Sequence, residues 1–100
     1  MHKRIKTSTT QLHLVNNKTA TLNYYILISE PKIDNTTSTS DLYGCEIELI
    51  YENGLRQREA EQVINIFSSR RKIEDLVYTL HKNLVTPCTL KDIIYDYISE

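Results

Sequence analysis

Residues 43–52 read YGCEIELIYE, and the reading of this stretch decides the fold. Tyr43, Cys45, Ile47, Leu49 and Tyr51 alternate with Gly44, Glu46, Glu48, Ile50 and Glu52. Successive side chains on a strand point to opposite faces, so the stretch is a strand with one apolar face and one mostly acidic face. Asn53-Gly54 follows at once. Both central positions of a type I′ turn need positive φ, which these two residues reach at least cost. The chain is therefore expected to double back into another strand from about Arg58 to Phe67, with Ile64 and Ile66 in the core. A strict two-residue loop would set Glu48 opposite Glu59 and Glu46 opposite Glu61, and facing like charges weaken a ladder. Two remedies are open: a bulge that shifts the register, or diagonal screening by Arg56 and Arg58.

Upstream, Leu22, Tyr24, Ile26 and Ile28 alternate with Asn23, Tyr25, Leu27 and Ser29, the period of a second strand. Asn16-Asn17-Lys18 signals a hairpin from a first strand that carries Leu12 and Leu14 inward at its end. Between the two hairpins lies PKIDNTTSTSD, residues 31–41, whose proline and small polar residues predict a mobile loop.

Downstream of Phe67 the period changes to 3.6. Ile73, Leu76, Val77, Leu80 and Leu84 form one stripe of an amphipathic helix, with Ser69 as N-cap and Asn83 as the left-handed residue that ends it. Beyond Pro87 a second stripe follows at Leu90, Ile93, Ile94, Tyr97 and Ile98. Neither helix can bury its stripe alone. The expected fold is α+β: a two-layer single domain over residues 1–100, with a four-stranded, largely antiparallel sheet and two C-terminal helices packed on one face. Mixed pairing between the hairpins stays open.

The chain has 100 residues, of which 40% are hydrophobic and 25% charged, ordinary values for a chain that folds alone. The formal charge of −1 gives no global field to attract nucleic acid or an anionic membrane. Its longest apolar run, Tyr24 to Ile28, falls far short of the roughly 18 residues that span a bilayer. The N-terminus begins with positive charge but lacks the apolar run of an export signal. A soluble, cytoplasmic protein is expected, with Cys45 and Cys88 both reduced. No CxxC, HxxxH or CxxH spacing exists to hold a metal. With two glycines and no GxxxxGK[ST], GxGxxG or GxSxG, no cofactor or small-molecule substrate is indicated.

The best candidate for chemistry is VTPCTLKD, residues 85–92, where Cys88 stands before a helix start. With Thr89 as N-cap and Asp92 at the third helical position the pattern is a capping box, and Cys88 becomes the N′ residue that staples onto Ile93. A nucleophilic reading needs a base nearby, and the sequence supplies only His81 on the preceding helix. Packing is the expected role. Cys45 is core; His2, His13 and His81 are scattered; Asp75, Asp92 and Asp96 read as solvated helix carboxylates. No catalytic residue is assigned, and the chain is read as no enzyme.

Two basic clusters, Lys3, Arg4 and Lys6 (residues 2–6 with His2) and Arg70, Arg71 and Lys72, carry an alternative. The second occupies a helix N-terminus, where cations oppose the macrodipole, so it could grip phosphates while nearby tyrosines stack on bases. Acidic neighbours and the negative net charge argue against nucleic acid.

The YYIL segment at 24–27, the YGxEI pattern at Tyr43-Gly44-Cys45-Glu46-Ile47, and Val85-Thr86-Pro87 followed by Leu90 to Ile98 resemble a family of short uncharacterised bacterial proteins, a domain of unknown function, from about Leu22 onward. The resemblance implies no activity, so no site residue is carried over. The reading of the residues is a small non-enzymatic interaction or regulatory module, acting on an unknown protein partner or on itself. Tyr25, Leu27, Val63 and Phe67, placed on the sheet face away from the helices, are the expected contact surface.

Overall fold

The structure is a computed structural model and describes residues 2–15, 18–29, 41–52 and 57–99. Four strands, β1 (His2–His13), β2 (Thr19–Ser29), β3 (Leu42–Glu52) and β4 (Arg58–Phe67), precede two helices, α1 (Arg70–Lys82) and α2 (Leu90–Ser99), the second entered through a short 3₁₀ turn at Pro87–Thr89. The sheet order is β1-β2-β3-β4 and every neighbouring pair is antiparallel. This is the expected α+β architecture, with mixed pairing ruled out. The loop expected at 31–41 falls, up to residue 40, outside the described residues, as do Asn16-Asn17 and Asn53-Gly54 with Arg56.

The helices cover one face. Ala20, Leu22, Tyr24, Ile26 and Ile28 of β2 and Cys45, Ile47 and Leu49 of β3 pack there against Ile73, Leu76, Val77 and Leu80 of α1 and Leu90 and Ile94 of α2. The α1 stripe as far as Leu80 and the first half of the α2 stripe thus bury against the apolar face that YGCEIELIYE announces, whereas Tyr97 and Ile98 at the end of α2 stay exposed. Tyr24 ties the layers together: its hydroxyl donates to the Val85 carbonyl at 3.0 Å, and burial pushes its pKa up to about 12.

The register between β3 and β4 resolves the glutamate conflict. Glu48 faces Ala60 and Glu46 faces Gln62, one residue displaced from a strict two-residue hairpin. A one-residue slip moves every side chain of a strand to the other face. Glu59 and Glu61 therefore turn to the helix side, opposite Leu49 and Ile47, and Arg58 joins the acidic face. Arg58 then also pairs with the carboxylates, so shift and screening act together.

Further along, Tyr43 pairs with Phe67 and Cys45 with Val63, so Ile64, Asn65 and Ile66 bulge over the single residue Gly44. Asn65 absorbs the turn with φ 57°. Ile64 is carried out to solvent by this bulge, against the expectation that it is core, while Ile66 packs on the core. Leu14 is likewise exposed, since it follows the end of β1, whereas Leu12 packs inward.

Ser69 caps α1 as expected, its hydroxyl accepting from the Lys72 amide at 3.3 Å. The other end differs. Asn83 keeps φ −96° and Leu84 takes the left-handed conformation at φ 51°. The Leu84 amide donates to the His81 carbonyl and the Val85 amide to the Leu80 carbonyl, both at 3.0 Å, the paired bonds of a Schellman motif. Leu84 thus leaves the apolar stripe and is exposed, while Val85 is buried.

Candidate functional site

On the face away from the helices, the central strands β2 and β3 place Asn23, Tyr25, Glu46 and Glu48 side by side, and all four are buried. Arginines from both edge strands cover them. Arg4 of β1 lies 2.7 Å from Glu46 and 3.6 Å from Glu48; Arg58 of β4 lies 2.5 Å from Glu48 and 3.8 Å from Glu46. Glu48 also accepts from Asn23 Nδ2 at 3.0 Å and from the Tyr25 hydroxyl at 2.9 Å, and Thr9 donates to Asn23 Oδ1 at 2.7 Å. The Arg4 guanidinium stacks 3.6 Å above the Tyr25 ring. Burial pushes the Glu48 carboxyl up, but the hydrogen bonds from Arg58, Asn23 and Tyr25 and the Arg58 charge outweigh it and hold the group at about 2. Burial and the hydrogen bond to Glu48 raise Tyr25.

Every member of this network is engaged by another member, so it ties the strands to one another. Sequence reading raised Arg58 as a screening cation for the acidic face of β3 but did not bring Arg4, Asn23 and Tyr25 to it. The signal that finds the network is the register: once Glu46 and Glu48 sit on central strands, a cation on each edge must cover them, and Arg4 and Arg58 stand at the right positions.

The four residues expected to share an uncovered patch do not meet. Tyr25 and Leu27 lie on the outer face but are buried, Tyr25 beneath Arg4. Val63 and Phe67 lie on the helix side through the register slip, opposite Cys45 and Tyr43, and Phe67 meets the Tyr97 ring edge-on at 6.3 Å. Val63 does border an apolar surface, a groove of about 480 Å³ at the free edge of the sheet. Its walls are Gln62, Val63 and Ile64 from β4 and Lys91, Ile94, Tyr95 and Ile98 from α2, with no residue of α1. Ile64, Tyr95 and Ile98 keep 47%, 78% and 53% of their surfaces exposed. The bulge that expels Ile64 builds one wall. The other follows from helix geometry, because Lys91, Ile94, Tyr95 and Ile98 stand at i, i+3, i+4 and i+7 beside the core stripe. Sequence reading assigned Ile98 to the core and did not weigh Tyr95, so this second stripe was missed.

Cys88 does not staple onto Ile93. Pro87 is the buried residue of the 3₁₀ turn, Cys88 is exposed, and its sulfur lies 3.4 Å from the Thr86 hydroxyl. Thr89 donates to the Thr86 carbonyl at 3.4 Å, and Thr86 is the residue that precedes the turn. The reason is that Pro87 starts the helical path two residues before Thr89, which turns Cys88 outward. Cys45 is buried in the core, and burial pushes its thiol up to about 12. His81 contacts the Thr10 hydroxyl through Nε2 at 2.6 Å and packs 5.2 Å from the Tyr24 ring. The groove that includes His81 is lined by Thr7, Ser8, Ile26, Glu74, Val77 and Tyr78, and Cys88 is not in it. Among the described residues no three His, Cys, Asp or Glu side chains stand together as metal ligands.

The basic residues are divided. Arg4 and Lys6 lie on the outer face of β1, Lys3 pairs opposite Ile28 on the helix side, and Arg70, Arg71 and Lys72 are exposed on α1. Arg4 is engaged with Glu46, and Arg70 lies 3.5 Å from Glu74. No helix among the described residues is long and apolar enough to cross a membrane.

The chain belongs to a family of unknown function, DUF6514, which it matches over residues 3–100. That span includes β1, upstream of the stretch that carried the resemblance. No curated protein and no solved structure matches the chain.

Proposed function

We propose that the protein is a non-catalytic interaction module that docks a helix of a protein partner in the groove between β4 and α2. The observation that carries this reading is the contiguous apolar surface of Ile64, Tyr95 and Ile98 on a sheet edge whose other large apolar side chains are mostly turned inward. A helix is favoured over an added strand. The bulge at Ile64–Ile66 breaks the regular row of backbone groups that β-augmentation needs, and Glu59 and Glu61 charge the straight part of the edge. The titratable groups on the opposite face are consumed in the Arg4–Glu46–Glu48–Arg58 network, which supports a structural rather than a catalytic use. The reading places the module in the bacterial cytoplasm, where an exposed Cys88 thiol stays reduced.

The test is site-specific photo-crosslinking in cells. A photoreactive phenylalanine analogue at position 95 or 98 is expected to give one discrete product, identified by mass spectrometry, while the same probe at exposed Tyr78 on α1 gives none. Equal yields at all three positions, or no product at any, would overturn the groove as the docking surface.

A further inference from the structure

Resting on that reading, we infer that the helix seated in the groove is α2 of a second copy of this chain, laid antiparallel to the first about a two-fold axis near Tyr95. The first argument is charge. α2 carries Lys91 in its first turn, at the positive end of its macrodipole, and no basic residue in its last turn. In isolation both features cost stability. An antiparallel α2 pair centred on Tyr95 brings Lys91 of each copy beside the C-terminal turn of the other, at the level of Ser99, where its ammonium meets the negative end of the helix dipole. The Lys91 side chain is 68% exposed, and among the described residues its ion pair is a 3.5 Å contact to Glu61, loose enough for it to turn.

The second argument is shape. The stripe of Lys91, Tyr95 and Ile98 is self-complementary about its centre: reversing the helix sets the Lys91 stem along Ile98 and Tyr95 beside Tyr95. Asp92 and Asp96 lie round the helix from this stripe, so carboxylates do not oppose each other in the seam. Pairing through the β4 edges instead fails. In any continuous antiparallel sheet formed about a two-fold axis, residues of like parity face each other, so registers centred on residues 59–61 set Glu59 against Glu61 or each against itself, and registers centred further along must run through the bulge at Ile64–Ile66. The contact is isologous and closes at two copies.

The third argument sets the strength. The exposed parts of Ile64, Tyr95 and Ile98 amount to roughly 350 Å² per copy, and with the Lys91 stem and rim the pair would bury about 800–1,000 Å² in total, below the ~1,200–2,000 Å² of stable complexes. The dimer is therefore weak and concentration-dependent.

Sedimentation equilibrium or light scattering of the full chain tests it. The weight-average mass should rise from 11.7 kDa toward twice that value as concentration increases, across a range of about 5 to 500 µM. Tyr95→Lys and Ile98→Lys should remain monomeric throughout with unchanged circular dichroism, and Tyr78→Lys should dimerise normally. Lys91→Glu alone and Ser99→Lys alone should each weaken association at least about tenfold, and the two together in one chain should restore it, because the new carboxylate then meets the new ammonium across the axis. A wild-type monomer at every concentration, or a double variant no better than the singles, overturns the antiparallel self-contact. A crosslink from position 95 to a different protein overturns it too, yet leaves the groove reading standing; absence of both removes the two together.

Discussion

Gly44→Ala is expected to destabilise the protein by about 2 kcal/mol, far beyond the usual effect of adding one methyl. A Cβ at this position would stand 2.2 Å from the Val63 carbonyl oxygen, 2.7 Å from the Ile64 Cα and 3.1 Å from the Val63 carbonyl carbon. All three are backbone atoms of the bulge, so no rotamer change relieves the clash. The bulge is pinned on either side by the Tyr43–Phe67 and Cys45–Val63 pairs, and the strand must give by about an ångström or break one of them. Overpacking costs roughly 1–3 kcal/mol, here the upper end because the clash is with backbone atoms, and the smaller unfolded-state entropy of alanine returns up to ~1, leaving about 2. For a chain of this length a net 2 kcal/mol lowers Tm by about 10 °C. Urea unfolding followed by circular dichroism reads the effect as a lower midpoint with an unchanged m-value. A Gly44→Ala midpoint equal to wild type would mean that β4 does not fold over Gly44, and the account of how Ile64 reaches the surface would fail with it.

Glu48→Gln should cost about 2–3 kcal/mol at neutral pH, since it removes the nearer counter-charge of Arg58, leaving Glu46 at 3.8 Å, and the charged acceptor of the Asn23 and Tyr25 hydrogen bonds. Because the folded Glu48 carboxyl is held at about 2 by Arg58, Asn23 and Tyr25, below its ordinary value, its contribution is complete above pH ~4.5 and is lost as pH falls toward 2. The stability gap between wild type and Glu48→Gln should close over that window; a gap independent of pH would refute the assignment. Leu84→Gly should be neutral or stabilising by up to ~1 kcal/mol, because glycine reaches φ 51° without strain and the leucine is exposed. A clear loss in urea unfolding would show that Leu84 contributes packing. Native thiol titration should label Cys88 alone, with Cys45 reacting only in denaturant; two fast thiols would contradict the buried position of Cys45.

The elements were legible in the sequence because each stripe has a single period: Tyr43 to Tyr51 can only alternate, and Ile73 to Leu80 can only be a helix face. The side of the sheet on which β4 residues fall was not. It depends on the parity of the β3–β4 connection, and one residue of slip sent Val63 and Phe67 inward and Arg58 outward together. Leu84 shows a second limit, since a residue at the right helical spacing was claimed by the helix terminus instead. At Cys88, Pro87 began the helical path early and displaced the capping pattern on which the expected staple relied.

The same parity links the two faces of the molecule. Had β4 kept the strict two-residue register, Glu59 and Glu61 would have faced Glu48 and Glu46, and the outer face would have needed further cations to be stable. With the slip, Arg58 and Arg4 close that face, and the carboxylates of Glu59 and Glu61 move to the helix side, where Lys91 meets Glu61. The outer face then presents mostly charged and polar atoms, and the exposed apolar side chains of the β4 edge collect where the bulge and α2 meet. A surface that a partner helix could occupy is thus a by-product of how the sheet solves its own charge problem. Restoring the strict register, for example by deleting one residue from the β3–β4 connection, should disorder the arginine network and bury or scatter Ile64 in the same step.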